Sequence, residues 1–166
     1  LRHRMQLINE LKLAEEIQQN LLPKNPPSYK GIDVSGTSLY CDEIGGDYYD
    51  FLELPDHKLG IVVADASGHG IGAAMHMTAA RAFVHLSARE YHGPAQLLTE
   101  VNRYITRDSD ATSRFLVMFL LEIDEQAKTL RWVRAGHDPA ILFDPTQGEF
   151  EELNGEGMAL GVVDDY

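Results

Sequence analysis

The chain has 166 residues and a formal net charge of −12, and its length suits one domain with a sizeable core. Such an acidic chain is poorly suited to nucleic acid or an anionic membrane, because phosphate groups would repel it, whereas metal cations would be attracted. No apolar run approaches the roughly 20 residues that span a bilayer, and the single cysteine, Cys41, excludes an internal disulfide. We therefore expect a cytoplasmic protein without membrane contact by this segment.

Residues 1–22 predict a helix that is separate from the domain after it. Apolar side chains recur along this helix at steps of three and four, which places them in one stripe: Leu7, Leu11, Ala14, Ile17 and Leu21. The sequence PKNPP at 23–27 ends the helix, since proline lacks an amide donor. Two interpretations stay open: the helix packs on its own domain, or it is a linker or dimerisation helix that relays a signal.

The remainder, residues 23–166, has the pattern of an α+β domain. The predicted elements are strands at 32–40, 48–54 and 58–64, helices at 71–89 and from Pro94, and strands at 114–123, 129–135, 140–143 and 150–153. The second of these helices carries one apolar face, formed by Leu97, Leu98, Val101 and Ile105. Most links between strands are too short for parallel crossovers, so we expect a mostly antiparallel sheet.

The stretch VVADASGHGIGAAM at 62–75 places a carboxylate, Asp65, at the end of an apolar strand. A strand end holds an acid rigidly and directs it into a cleft, which is how a metal ligand is presented. Ser67 and the glycines after it allow a sharp turn into a helix, whose N-terminus favours an anion. A metal ion together with an anion is typical of phosphate chemistry.

A second group of acids precedes it in CDEIGGDYYDF at 41–51. Its members would repel one another unless they were solvated or bridged by a cation: Asp42, Glu43, Asp47 and Asp50. Taken alone, the segment is typical of an acidic surface loop. The aromatic residues after Asp47, however, indicate that it starts a packed strand beside a glycine turn. Oxygen ligands without histidine or cysteine suit Mg²⁺ or Mn²⁺.

Other kinds of site have weaker support. Gly68, Gly70 and Ala73 match a loose dinucleotide-binding pattern, but the strand before them is the second arm of a predicted hairpin instead of the start of a parallel unit. Ser67 lacks an adjacent base, which argues against a serine hydrolase. The histidines show no zinc-ligand spacing, and His137 in GHDP is interpreted as part of a turn between strands.

Five motifs, taken in order, resemble one family. They are LAEEIQQNLLP at 13–23, EIGGDYYDF at 43–51, VADASGHGIGAAM at 62–75, RAGHDPAIL at 134–142 and MALGV at 158–162. Together they resemble the bacterial SpoIIE/RsbU type of PPM (PP2C-like) serine/threonine phosphatase, over nearly the whole chain. The resemblance implies an αββα sandwich of two mostly antiparallel sheets flanked by helices, with a site for two Mn²⁺ or Mg²⁺ ions at one edge.

The resemblance also implies roles for individual residues. By position, Asp47 and Asp65 would be acidic metal ligands, with Asp65 bridging the ions, and the backbone carbonyl of Ala66 would complete the shell. A metal-bridging hydroxide would attack phosphoserine or phosphothreonine directly, without a phosphoenzyme. Ser67 stands where many eukaryotic relatives have a histidine acid, so that role is not transferred, and no catalytic side chain is assigned.

The family further implies partners. Its usual substrate is a phosphorylated STAS-domain protein that acts as an anti-sigma-factor antagonist in bacterial signalling. The helix before LLP typically connects an upstream sensor or receiver domain in the same chain to the phosphatase. Residues 1–22 would then be a switch helix and a candidate homodimer contact.

The chain departs from the family pattern after MALGV at 158–162. The family continues into further strands, a Thr-Asp-Gly motif and a last aspartate, which supply the remaining metal ligands, whereas this chain ends at Tyr166. Asp164 and Asp165 come too early to replace them. We therefore expect the domain at 23–166 to lack its C-terminal part, to bind metal poorly and to be weakly active or inactive by itself. The alternative function is a non-catalytic regulatory or dimerisation module of the same fold.

Overall fold

The computed structural model describes residues 2–39, 44–109 and 114–164. Within these ranges the helices and strands are α1 (Arg2–Leu21), β1 (Asp47–Leu54), β2 (Lys58–Ala66), α2 (Gly70–Ser87), α3 (Pro94–Ser109), β3 (Leu116–Asp124), β4 (Thr129–Ala135), β5 (Ala140–Asp144) and β6 (Glu149–Leu153). Four residues discussed above lie outside the described ranges: Cys41, Asp42, Glu43 and Asp165. None of the described helices is long and apolar enough to cross a membrane.

Strands β1 to β4 form an antiparallel sheet in chain order, and β5 and β6 form a separate hairpin. This confirms the predicted α+β class with mostly antiparallel strands. The strand predicted at 32–40 is wrong over its described part, 32–39, where Ile32 makes one isolated bridge to Tyr29. The segment is held by a side chain instead of a strand ladder, since a Cβ at Gly36 would lie 2.5 Å from the ring of Tyr49.

One face of the sheet packs against α2 and α3, because successive side chains of a strand point to opposite faces. The sheet side of this core is formed by Tyr48, Leu52, Leu54, Val62, Ala64, Ala66, Leu116, Met118 and Leu120. The apolar face predicted for α3 is confirmed, and α2 contributes the small residues Ala73 and Ala80 beside Met77 and Val84. Odd-numbered residues of β1 and β2, Asp47 and Asp65 among them, lie on the opposite face.

Helix α1 touches the domain through a polar contact. Gln18 is its buried residue. The side-chain amide of Gln18 donates to the carbonyl oxygen of Gly45 at 2.7 Å, and its oxygen accepts the Gly45 N–H at 3.1 Å. The predicted helix is confirmed, but its apolar stripe is not buried as a unit. Leu11, Ala14 and Leu21 are half-buried, whereas Leu7 and Ile17 are exposed.

Glu122 on β3 is a buried acid surrounded by donors. Its side chain is 1% exposed and accepts two hydrogen bonds of 2.7 Å from Arg131, its partner across β3 and β4. The hydroxyl of Tyr91 also donates to it, and the ammonium of Lys58 lies 3.8 Å away. Burial and the bond to Glu122 raise the pKa of Tyr91, so its hydroxyl stays protonated. Lys58, Glu122 and Arg131 thus link β2, β3 and β4 at the end of the sheet opposite Asp65.

Candidate active site

Asp47 and Asp65 face each other across two antiparallel strands. Asp47 begins β1, Asp65 lies one residue before the end of β2, and the two are register partners. Directly opposite residues have Cβ atoms about 4.5–5.5 Å apart, so the two carboxylates share one small space. Both residues are accessible to solvent. The structure therefore brings together the two acids that the sequence motifs single out.

The neighbouring charge makes ionised Asp65 less stable. Partial desolvation and the carboxylate of Asp47 raise the pKa of Asp65, while the charge of His137 lowers it. Among the described residues, Asp65 forms no ion pair with a lysine or an arginine. A divalent cation between the two carboxylates would remove their repulsion, which gives a physical reason to expect a metal here.

The glycine turn before Asp47 packs directly on the end of β2. The N–H of Ala66 donates to the carbonyl oxygen of Gly46 at 3.2 Å. A Cβ at Gly46 would lie 2.6 Å from the carbonyl oxygen of Ala66 and 3.0 Å from a carboxylate oxygen of Asp65. Only glycine fits this approach. The carbonyl of Ala66, the third predicted ligand, thus lies at the same end of the hairpin as the two acids.

The three predicted ligands, the carboxylates of Asp47 and Asp65 and the carbonyl of Ala66, all offer oxygen, which suits Mg²⁺ or Mn²⁺. In the part of the chain that is described, no group of three or more His, Cys, Asp or Glu side chains is arranged to hold a metal ion. Asp50 faces the other side, where it is buried, accepts a bond of 2.9 Å from the Tyr48 hydroxyl and lies 2.7 Å from Nε2 of His85. Asp47 and Asp65 therefore fit part of a coordination shell, and Asp50 does not join them.

The glycine-rich turn after β2 is shaped by Arg114, which no sequence motif identifies. Gly68 and Gly70 have φ angles of +95° and +67°, which side-chain-bearing residues rarely adopt. A Cβ at Gly68 would lie 2.7 Å from one guanidinium nitrogen of Arg114, and a Cβ at Gly72 would lie 2.5 Å from another. These two glycines leave space for the side chain of Arg114. The sequence had instead suggested a turn beside a bound anion. The four-residue spacing of Gly68 and Gly72 was the sequence feature that could have pointed to this contact.

Arg114 also fixes the backbone that follows Asp65. It donates to the carbonyl oxygen of Ser67 at 2.8 Å. The N–H of Ser67 donates to the carbonyl oxygen of Phe115 at 2.9 Å, and the hydroxyl oxygen of Ser67 accepts the Phe115 N–H at 3.0 Å. Ser67 is thereby committed to holding β2 against the start of β3, in agreement with its having no assigned catalytic role.

A cleft of about 220 Å³ opens beside the two acids. Its lining comes from the segment before β1, from β1 and β2, and from the turn after β4: Thr37, Ser38, Leu39, Asp47, Tyr48, Tyr49, Val63, Ala64, Asp65 and His137. The turn position predicted for His137 agrees with the structure. Its place in the wall of this cleft was not visible in the sequence, because the contact joins segments far apart along the chain.

The protein family described as Stage II sporulation protein E (SpoIIE) matches residues 55–166. This segment is more than half of the chain and includes Asp65, Ala66 and His137. The chain belongs to the SpoIIE family. Asp47 lies before the matched segment, yet the hairpin register joins it to Asp65 inside that segment.

Two curated relatives from Bacillus subtilis (strain 168) are similar to this SpoIIE-family chain. Phosphoserine phosphatase RsbU is 30% identical over 159 residues, which are 95% of this chain and 47% of that protein. Phosphoserine phosphatase RsbP is 25% identical over 171 residues, which are 94% of this chain and 42% of that protein. The chain thus spans about half the length of the curated relatives it matches.

Solved structures give the fold of this SpoIIE-family chain. The SiaA-PP2C domain of Pseudomonas aeruginosa has a TM-score of 0.77 at 22% identity, covering 98% of this chain and 65% of that chain. The RsbU and RsbW domains of Rv1364c from Mycobacterium tuberculosis give 0.63 at 24% identity, covering 76% of this chain and 35% of that one. These neighbours confirm the predicted PP2C-like fold.

Two of the SpoIIE-family motifs pack against each other. The N–H of Gly136 donates to the carbonyl oxygen of Gly157, the residue before MALGV, at 3.0 Å. A Cβ at Gly136 would lie 3.0 Å from the backbone nitrogen of Ala159, inside that motif. A Cβ at Gly157 would lie 1.7 Å from the carbonyl oxygen of Arg134. The motifs RAGHDPAIL and MALGV are therefore architectural, and together they brace the loop that carries the cleft histidine.

Proposed function

We propose that this chain is part of a metal-dependent serine/threonine phosphatase that dephosphorylates a regulatory phosphoprotein in bacterial signalling. The observation that carries the proposal is the pairing of Asp47 with Asp65 across the hairpin, where partial desolvation and the carboxylate of Asp47 together raise the pKa of Asp65. Two opposed carboxylates repel each other when no divalent cation is bound, and they can serve as ligands when one is. The names of the curated relatives, both phosphoserine phosphatases, support it.

The proposed cofactor is Mn²⁺ or Mg²⁺, with two ions in the full-length protein. Asp47 and Asp65 would hold them, and the carbonyl oxygen of Ala66 would add a further ligand. Such ions, when bound, lower the pKa of water and neutralise phosphate oxygens. Oxygen is the only donor type at this end of the hairpin among the residues named, which suits either ion.

The backbone around the acids is held in place independently of any ion. Gly46 packs on Ala66 and so fixes Asp47 from its N-terminal side. Ser67, bonded to Arg114 and Phe115, fixes Asp65 from its C-terminal side. Ligands that are already positioned lose little conformational entropy when a metal binds, and they hold a reacting group in a defined geometry.

The proposed substrate is a phosphorylated STAS-domain protein, an anti-sigma-factor antagonist. The similarity to RsbU and RsbP supports this choice. So does the likeness to a Mycobacterium tuberculosis structure that holds RsbU and RsbW domains of one protein, Rv1364c. The proposal places this chain in a regulatory phosphorylation pathway.

We further infer that α1 is a switch helix between an upstream sensor or receiver domain and the site. Gln18 makes two hydrogen bonds to Gly45, which lies two residues before Asp47. Movement of α1 would therefore pull on the turn that positions this acid. Homodimerisation through α1 is part of the same inference, because the helix exposes many apolar side chains: Met5, Leu7, Ile8, Leu13 and Ile17.

Phosphate release from a phosphoserine-bearing STAS protein tests the proposal. The full-length protein should release phosphate with Mn²⁺ and not without it, and its Asp65→Asn variant should be inactive with or without the ion. Residues 1–166 alone should be weakly active or inactive. A full-length protein that stays inert with several phosphoproteins and with both ions would contradict the phosphatase proposal and leave the non-catalytic module as the better interpretation.

A further inference from the structure

One histidine beside the paired acids has a fixed proton position. Nδ1 of His137 lies 2.9 Å from the carbonyl oxygen of Asp138, the next residue on the same loop. A carbonyl oxygen only accepts, so Nδ1 carries the hydrogen and donates it. The second ring nitrogen, Nε2, is therefore the one that this contact leaves available to another group. The loop itself is braced, because Gly136 bonds to Gly157.

His137 belongs to the same cleft as the acids. It is half-buried, lines the cleft with Asp47 and Asp65, and its charge lowers the pKa of Asp65. No ion pair joins it to an acid of the described residues. The ring therefore borders the space that a group bound at the acids would occupy.

The other titratable side chains that line the cleft are engaged elsewhere. The Tyr48 hydroxyl donates to Asp50 on the core side, and burial raises the pKa of Tyr48 well above its usual value. The Tyr49 hydroxyl lies within hydrogen-bond distance of two backbone carbonyl oxygens. The two acids are assigned to the metal. Among the described residues of the lining, His137 is left to exchange a proton with a bound substrate.

We propose that His137 is the general acid of the phosphatase reaction and delivers a proton from Nε2 to the seryl oxygen as the phosphorus–oxygen bond breaks. This inference rests on the proposed function. A seryl alkoxide is strongly basic and leaves poorly, so hydrolysis of phosphoserine gains from a proton donor beside the leaving oxygen. His137 would supply the acid that Ser67, bonded to Phe115, does not.

The step balances with water as the only co-substrate. Hydroxide forms a new bond to phosphorus, the bond from phosphorus to the seryl oxygen breaks, and its electron pair stays on the seryl oxygen. The proton of the imidazolium of His137 turns that oxygen into a hydroxyl group, which leaves neutral imidazole and hydrogen phosphate. The imidazole then takes a proton from the next water molecule, which restores both the imidazolium and hydroxide.

Two substrates with different leaving groups test the proposal in the full-length protein with Mn²⁺. A phosphoserine peptide needs a proton on its leaving oxygen, whereas p-nitrophenyl phosphate releases a phenolate that is stable without one. The His137→Gln variant should lose about 100-fold in kcat on the peptide and less than about threefold on p-nitrophenyl phosphate.

Two control variants separate this role from a structural one. The His137→Asn variant retains an amide N–H that can donate to Asp138, so its unfolding temperature and Mn²⁺ affinity should match the wild type while its kcat on the peptide falls. His92 also has Nδ1 against a backbone carbonyl, that of Glu90 at 2.6 Å, but does not line the cleft. His92→Gln should leave kcat on both substrates unchanged.

The outcomes distinguish this inference from the function on which it rests. Equal losses on both substrates, or no loss on either, would overturn the general-acid role and leave the phosphatase proposal standing. A wild-type protein that is inert toward both substrates would overturn the phosphatase proposal, and the role of His137 with it.

Discussion

The two ends of the four-stranded sheet treat their acids in opposite ways. At one end, Glu122 accepts hydrogen bonds from Arg131 and Tyr91 and lies near Lys58. At the other end, Asp65 faces Asp47 across the hairpin. Folding surrounds the first acid with donors and brings the second against a like charge. An acid of the first kind is held by hydrogen bonds within the fold, whereas an acid of the second kind is the arrangement that the proposed metal site requires.

The largest expected effect concerns the partnered acid. Glu122→Gln replaces a carboxylate that is 1% exposed with an amide, whose N–H groups cannot accept the hydrogen bonds of Arg131 and Tyr91. The change should lower the free energy of unfolding by about 3 kcal/mol. Denaturant unfolding of the metal-free protein measures this. The matched control is Glu125→Gln, because the solvent-exposed pair of Glu125 with Lys128 should contribute little to stability. Similar losses for both variants would remove the structural role assigned to Glu122.

The next effect concerns the turn beside Asp47. Gly46→Ala places a methyl group 2.6 Å from the carbonyl oxygen of Ala66, so the strands must separate at a cost of about 1–3 kcal/mol. Mn²⁺ affinity, measured by calorimetry, should fall with stability. Gly155→Ala is the control, since the nearest atom to its new methyl group, Cβ of Arg134, is 3.8 Å away. If the two variants behave alike, the close approach at Gly46 does not position the site.

A double-mutant cycle tests the coupling of Gly72 to Arg114. Gly72→Ala alone should destabilise the protein, because the added Cβ meets the guanidinium at 2.5 Å. In an Arg114→Ala background the same change should stabilise, since alanine is favoured over glycine in a helix. The coupling free energy should be about 1 kcal/mol, from unfolding curves of the four proteins. Additive effects would show that the glycine is not there to admit the arginine.

The smallest effect concerns the opposed acid. Asp65→Asn removes the repulsion from Asp47 and should raise the stability of the metal-free protein by roughly 0.2–1 kcal/mol. The folded state binds the Asp65 proton more tightly than the unfolded chain, since its pKa is raised. Protonation of Asp65 should therefore raise the free energy of unfolding as the pH falls from neutral toward that raised pKa. The Asp65→Asn variant should lack this increase.

Added Mn²⁺ extends the test of Asp65. The ion should raise the unfolding temperature of the full-length wild type, because a ligand that binds the folded state stabilises it, and should leave that of Asp65→Asn nearly unchanged. A less stable metal-free variant, or equal stabilisation of both proteins by the ion, would contradict the contrast between the two ends of the sheet.

The sequence predicted the local parts of this structure well. Strong apolar runs and short turns gave β1 to β6, and an acid at a strand end gave Asp65. The pairing of Asp47 with Asp65 followed from resemblance, because register depends on the turn at Pro55–His57, where Asp56 and His57 adopt left-handed backbone angles.

The parts that the sequence did not predict depend on long-range contacts. Arg114 is an isolated basic residue, and its position over two glycines requires β3 to lie beside β2. Gln18 interrupts the pattern of an amphipathic helix. Its structural role is seen only in its hydrogen bonds to Gly45. His137 reaches the cleft from a loop that follows β4. Periodicity and spacing along the chain carry no information about such long-range contacts.

The β1–β2 hairpin determines how early the two acids can meet and how sensitive their pairing is to an insertion. Its two acids sit on adjacent strands joined by one short turn, and hairpins of this kind close within about 1–10 μs. The acids can meet during synthesis, before β3 has left the ribosome. One residue inserted in the turn at Pro55–His57 would shift the register and rotate every side chain of one strand to the opposite face. The length of this turn is thus as necessary for the pairing of Asp47 with Asp65 as the two acids themselves.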